Sequence, residues 1–157
     1  MSGIDAGAFA ALPLVFGVAN FVGTALAGPL ADRSPRAGLL LFPAVLGTGM
    51  IVMYATGASV AGLFVAAALW GLGFGGVPTT VLSWGARTEP THLEQIGGVI
   101  VTVCNVAIAV GAVAGGILVD EVAADVPLLV GGVVAIAGAV LLTSTGPWSS
   151  RPPEARL

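Results

Sequence analysis

The chain has 157 residues, of which 57% are apolar and 8% are charged, and its formal net charge is −3. Average soluble domains contain about 45–50% apolar and about 25% charged residues, so five basic and eight acidic side chains cannot cover a soluble surface of this size. The composition therefore excludes a soluble fold. The lack of lysine and of any basic patch also excludes a nucleic-acid partner.

Five apolar segments reach the length of about 20 residues that crosses the hydrocarbon core of a bilayer. None of them contains Asp, Glu, Lys, Arg or His, and they cover about 6–27, 38–55, 60–84, 96–119 and 127–144. A segment surrounded by lipid must satisfy its own backbone hydrogen bonds, so each segment is predicted to be a helix. The sequence predicts an all-α membrane bundle over residues 1–146, with the lipid bilayer as its surroundings. The polar, Pro-rich segment 147–157 is predicted to be a disordered cytoplasmic tail.

All basic residues fall on alternate connections between these segments. Arg33 and Arg36 follow the first span, Arg87 follows the third, and Arg151 and Arg156 follow the fifth. Cytoplasmic connections are enriched in arginine and lysine. We therefore predict a multi-pass protein of the cell membrane with its N-terminus outside and its C-terminus in the cytoplasm.

Polar residues within the spans occur at helical spacing, in the pairs Asn20 with Thr24, Thr79 with Ser83, and Thr102 with Asn105. Each pair shares one helix face, and these faces are expected to point into the bundle. The candidate translocation-path residues are Asn20, Thr24, Trp70, Thr79, Thr80 and Asn105. Structural hydrogen bonding between helices is an equally open interpretation for each of them.

Two GxxxG pairs are expected to serve helix packing, because glycine lets two backbones approach closely. They are Gly71 with Gly75 and Gly111 with Gly115. The single cysteine, Cys104, and the single histidine, His92, offer no metal-ligand spacing and no catalytic arrangement. We therefore expect no metal, no cofactor and no enzyme activity.

Residues 28–36 read GPLADRSPR and resemble the cytoplasmic signature of the major facilitator superfamily, G-x-L-A-D-[RK]-x-G-[RK]-[RK]. Two positions depart from it, since Pro35 replaces the usual glycine and Ala37 replaces the last basic residue. A weakened signature indicates the second copy, between the eighth and ninth helices. The residues expected to act in gating there are Gly28, Asp32, Arg33 and Arg36, through charge-assisted hydrogen bonds across helix ends. An ordinary solvated loop whose arginines only set the topology is the alternative.

Later segments also resemble the C-terminal half of drug- and sugar-efflux members, of the arabinose-efflux type. Residues 70–78 are similar to their tenth helix and residues 105–120 to their eleventh. The resemblance implies that the chain forms most of the C-terminal six-helix bundle and takes part in small-molecule efflux by alternating access. It also implies a fragment that requires the missing N-terminal half of the transporter as its partner and does not transport alone. A non-transporting membrane scaffold or assembly partner is the alternative.

Overall fold

The computed structural model describes residues 6–57 and 59–145. Within these ranges the chain forms five α-helices and no strand: α1 (Ala6–Arg33), α2 (Pro35–Thr56), α3 (Val60–Thr88), α4 (Leu93–Glu121) and α5 (Val126–Thr145). Each helix is long and apolar enough to cross a membrane. The structure thus confirms the prediction of an all-α membrane protein. The predicted tail 147–157, with Arg151 and Arg156, lies outside the described residues.

The helices extend beyond the charge-free segments that the sequence marked as spans. The largest difference is in α1, which continues past residue 27 to Arg33, so most of the expected connection 28–36 is helical. Charged residues do not end a helix, whereas caps and prolines do. A single residue, Ser34, separates α1 from α2: its Oγ accepts a hydrogen bond from the Ala37 N–H at 3.3 Å, and Pro35 begins α2.

The third helix is the centre of the bundle. It packs along both α1 and α2, and α2 in turn packs against α5. Glycines make these contacts close: a Cβ added at Gly73 would lie 2.6 Å from the backbone N of Leu46, and one at Gly76 would overlap the ring of Phe42. The core between α2 and α3 includes Phe42, which is 1% exposed, because the glycines opposite it leave room for the ring.

The fourth helix lies at the edge of this bundle and has no buried residue. It contacts α3 near Gly85, where an added Cβ would lie 2.7 Å from Ile96 and Ile100, and it approaches α5 at Pro127. Between these two points its apolar side chains are exposed, for example Ile108 at 66%. In a membrane protein such a helix must be covered by lipid or by other helices.

Candidate gate and translocation-path residues

An ion pair joins the ends of α1 and α3. The guanidinium of Arg87 donates from Nη2 to Asp32 Oδ1 at 2.6 Å and from Nη1 to the Asp32 carbonyl oxygen at 3.4 Å. Both side chains are largely exposed, at 44% for Arg87 and 74% for Asp32. The pair therefore holds two helix ends together across 55 residues of sequence while it remains accessible to water.

The other residues of the expected gate do not take part in this ion pair. Charge-assisted hydrogen bonds across helix ends were expected of Asp32, Arg33 and Arg36. Asp32 forms one with Arg87 of α3, whereas neither Arg33 nor Arg36 has a carboxylate partner within the described residues. Gly28 faces open space, since an added Cβ there would meet nothing within 4 Å. In the sequence, Arg87 indicated only the topology. The sequence did contain one indication that Arg87 could pair with Asp32, because no other arginine occurs between residues 36 and 151.

Two of the candidate path threonines meet at one backbone carbonyl. Thr24 Oγ1 of α1 donates to Gly75 O of α3 at 3.2 Å, and Thr79 Oγ1 lies 3.3 Å from the same oxygen. Thr24 Oγ1 is also 3.1 Å from Asn20 O, one turn earlier in its own helix. Three of the six candidates thus converge on the contact between α1 and α3, which we call the α1–α3 seam (Asn20, Gly23 and Thr24 of α1 with Gly71, Gly75 and Thr79 of α3).

The glycines of this seam let the two backbones approach each other closely. A Cβ added at Gly71 would lie 2.5 Å from Phe16 O, and one at Gly75 would overlap Asn20 O. The second GxxxG pair has a different environment. Gly111 has nothing within 4 Å of an added Cβ, and Gly115 has only Pro127 Cβ, at 4.0 Å. Within the described chain, only the first pair lies at a tight helix contact.

The remaining candidate path residues lie in separate places. The ring of Trp70 packs edge-on against Phe16 at 5.7 Å and stays 43% exposed. Thr80 is fully buried, with its methyl group against Gly38 of α2 and its hydroxyl bonded to Gly76 O at 2.9 Å.

Asn105 of α4 is exposed and donates from Nδ2 to Val101 O, its own helix's carbonyl, at 3.0 Å. The expectation that the polar face of α4 points into the bundle therefore does not hold among the described helices, because none of them packs on that face.

The connection between α3 and α4 carries a small polar cluster at the surface. Thr91 Oγ1 donates to Glu89 Oε1 at 2.5 Å, and His92 Nδ1 lies 3.1 Å from the same oxygen. These hydrogen bonds, that of Thr91 foremost, lower the pKa of Glu89 below its usual value. In the described parts of the chain no group of three or more His, Cys, Asp or Glu residues is placed to hold a metal ion.

The chain is similar to curated membrane transporters. No protein-family model and no solved structure matches the chain. Curated relatives do match: it is 30% identical over 131 residues to the purine ribonucleoside efflux pump NepI of Shigella dysenteriae and to that of Escherichia coli K12. The NepI of Escherichia coli O1:K1 is 31% identical over the same length. The similarity to these pumps agrees with the resemblance of residues 28–36 to the signature of the major facilitator superfamily.

The match covers 83% of this chain but 33% of each relative. The chain therefore spans about a third of the length of the curated relatives it matches. The segment that resembles the superfamily signature lies at the junction of α1 and α2, and its aspartate, Asp32, bonds to Arg87 of α3. The relatives are named as efflux pumps, which are transporters and not enzymes.

Proposed function

We propose that this chain forms part of one half of a small-molecule efflux transporter and that its cargo is a purine ribonucleoside. The membrane-spanning helices and the names of the relatives support this proposal. It is narrower than the drug or sugar efflux that the sequence resemblance implied. The observation that carries a transport mechanism is the ion pair between Asp32 and Arg87, which joins the two helices whose seam holds the polar residues.

The pair acts as a gate that closes one end of the bundle in one state of an alternating-access cycle. An exposed ion pair contributes about 0.2–1 kcal/mol, so it can be broken in every cycle. A bias of about 1 kcal/mol still changes the ratio of two conformations about fivefold. Opening the pair frees the end of α1 from α3, and the hydroxyls of Thr24 and Thr79 lie on the seam between these helices.

Additional helices complete the transporter. The exposure of α4 between its contacts with α3 and α5 supports this, as does the greater length of the relatives. We propose that the exposed surface of α4 that includes Asn105 and Gly111 packs on those helices and that the chain is not competent alone.

A chimera tests the proposal. The chain replaces the aligned third of the Escherichia coli K12 relative, and export of radiolabelled guanosine from preloaded cells is measured beside the chain expressed alone. We expect export from the chimera and none from the chain. An inactive chimera that is inserted in the membrane at normal levels would contradict the transporter role and favour a scaffold.

Charge variants in the same chimera test the gate. Asp32→Asn and Arg87→Gln should each reduce export several-fold, and the exchange Asp32→Arg with Arg87→Asp should restore part of it, because the exchanged pair can re-form. Arg36→Gln is the matched control, since this arginine is exposed and pairs with no described carboxylate. Equal losses for Arg36→Gln and Arg87→Gln would refute the specific role of the pair.

Competition by unlabelled compounds tests the cargo class. Adenosine should compete with guanosine export, whereas uridine and arabinose at the same concentration should not. Competition by arabinose alone would replace the nucleoside proposal with the sugar-efflux alternative.

A further inference from the structure

A groove begins at the arginine-bearing end of the bundle and runs between α1 and α2. It has a volume of about 290 Å³. Four residues on one face of α1, spaced at helical intervals, form one wall, and residues of α2 and α3 complete it: Leu26, Pro29, Leu30, Arg33, Leu41, Phe42 and Leu72. All are apolar except Arg33. The groove is therefore lined by apolar side chains and has one cationic side chain, Arg33, at its end.

The length of the groove is shorter than the depth of one membrane leaflet, so the groove can lie within that leaflet. Leu26 and Arg33 are seven residues apart on α1, which is about 10 Å along a helix axis. One leaflet of hydrocarbon is about 15 Å deep. The buried ring of Phe42 forms the floor of the groove. Leu72 of α3 also lines the groove, and its carbonyl oxygen lies against Gly23 where α1 meets α3. The upper part of one acyl chain fits this length and chemistry.

The charges around the groove favour an anion. Arg33 is exposed and has no carboxylate partner within the described residues, although Asp32 is its neighbour in sequence. The Asp32 carboxylate is neutralised by Arg87 at 2.6 Å, so it does not cancel the charge of Arg33. The negative end of α1 is also offset, because the positive N-terminus of α2 begins after the single residue Ser34.

We propose that this groove binds an anionic phospholipid, with its phosphate on Arg33 and one acyl chain between α1 and α2. An arginine guanidinium forms charge-assisted hydrogen bonds with phosphate, and anionic lipids are concentrated in the cytoplasmic leaflet. The predicted orientation places Arg33 at that leaflet. The bound lipid would cover the apolar cleft beside the gate residues without using the ion pair itself.

Native mass spectrometry of the purified full chain in dodecyl maltoside tests the proposal. Palmitoyl-oleoyl phosphatidylglycerol and the phosphatidylcholine with the same acyl chains are added in equal amounts, and the bound lipid is counted. We expect the chain to retain phosphatidylglycerol in preference to phosphatidylcholine. No preference would overturn the proposal.

Two arginine variants assign the headgroup contact. Arg33→Gln should reduce the preference about fivefold, as expected for one basic residue near a membrane surface. Arg36→Gln should change it less than twofold, because Arg36 is exposed in the same region but does not line the groove. Equal losses would mean diffuse surface charge and would overturn the site.

Two leucine variants test the acyl contact and remain informative if Arg33→Gln does not fold. Leu26→Trp fills the groove, whereas Leu14→Trp places the same ring at an exposed position of α1 outside it. We expect Leu26→Trp to lose bound phosphatidylglycerol and Leu14→Trp to retain it. Displacement of the lipid by 10 mM inorganic phosphate would indicate a simple anion site and would contradict the lipid proposal.

Discussion

The seam between α1 and α3 should not tolerate a single added methyl group. A Cβ at Gly71 would lie 2.5 Å from Phe16 O, while ordinary contact begins at 3.4 Å, so the two backbones must separate by about 0.9 Å. No rotamer change can relieve this contact, because the atom on α1 is a backbone carbonyl. Overpacking of this kind costs about 1–3 kcal/mol. The gain from replacing glycine within a helix is about 0.5–1 kcal/mol, so we expect a net destabilisation by Gly71→Ala of about 0–2.5 kcal/mol.

Gly75→Ala should cost at least as much, since its added Cβ would overlap Asn20 O. Gly111→Ala is the matched control: it belongs to the same kind of motif, but an added Cβ there meets nothing within 4 Å. We expect it to stabilise the chain by about 0.5–1 kcal/mol, because alanine is more favourable than glycine within a helix and no contact opposes the added methyl group.

The free energy of unfolding can be measured for the purified chain in dodecyl maltoside by titration with SDS, followed by circular dichroism. If Gly71→Ala and Gly75→Ala are no more destabilising than Gly111→Ala, the close packing of α1 on α3 is refuted. In the chimera with the relative's remaining helices, Gly111→Ala should become costly, because the α4 face is then expected to be covered. A neutral Gly111→Ala there would contradict the proposed packing of α4.

Two further substitutions test other parts of the structure. Phe42→Ala should destabilise the chain by about 3–5 kcal/mol, because loss of the buried ring would leave a cavity. Phe21→Ala, at a site 75% exposed, should cost far less in the same SDS titration. Thr91→Val should raise the pKa of Glu89 in a carboxyl-carbon NMR titration, since the Thr91 hydroxyl is the main cause of its lowering. The stability linked to Glu89 is present above its unfolded-state pKa and is lost as pH falls through the lower folded-state value. Thr91→Val should therefore weaken the dependence of the free energy of unfolding on pH in that range. Thr88→Val should not, because the Thr88 hydroxyl bonds only to backbone carbonyls.

The partner of Asp32 could not be predicted from the sequence. The signature at 28–36 identified Asp32, Arg33 and Arg36 as charged residues expected to bond across helix ends, but it assigned no partner to Asp32. The structure pairs Asp32 with Arg87, 55 residues away. In a helix, neighbours in sequence point in different directions, whereas the ends of two packed helices meet whatever their separation along the chain.

The same limit applies to the two glycine motifs. Gly71 with Gly75 and Gly111 with Gly115 have the same spacing, yet only the first pair lies at a tight contact with another described helix. Spacing along one helix reports which residues share a face, but it carries no information about what covers that face. Asn105 illustrates the same point, because its helical face contacts none of the described helices.

The sequence by itself determined that the chain lies in a membrane as five helices. Composition and span length are sufficient for this, because a segment in lipid must complete its backbone hydrogen bonds within itself. The formation of each helix therefore depends only on the sequence of that segment. Only the tertiary structure decided that α3 is the central helix, that Thr24 and Thr79 meet at Gly75 O, and that the groove beside Arg33 exists. These features depend on how helices pack side by side, and that packing is set by contacts between residues far apart in sequence.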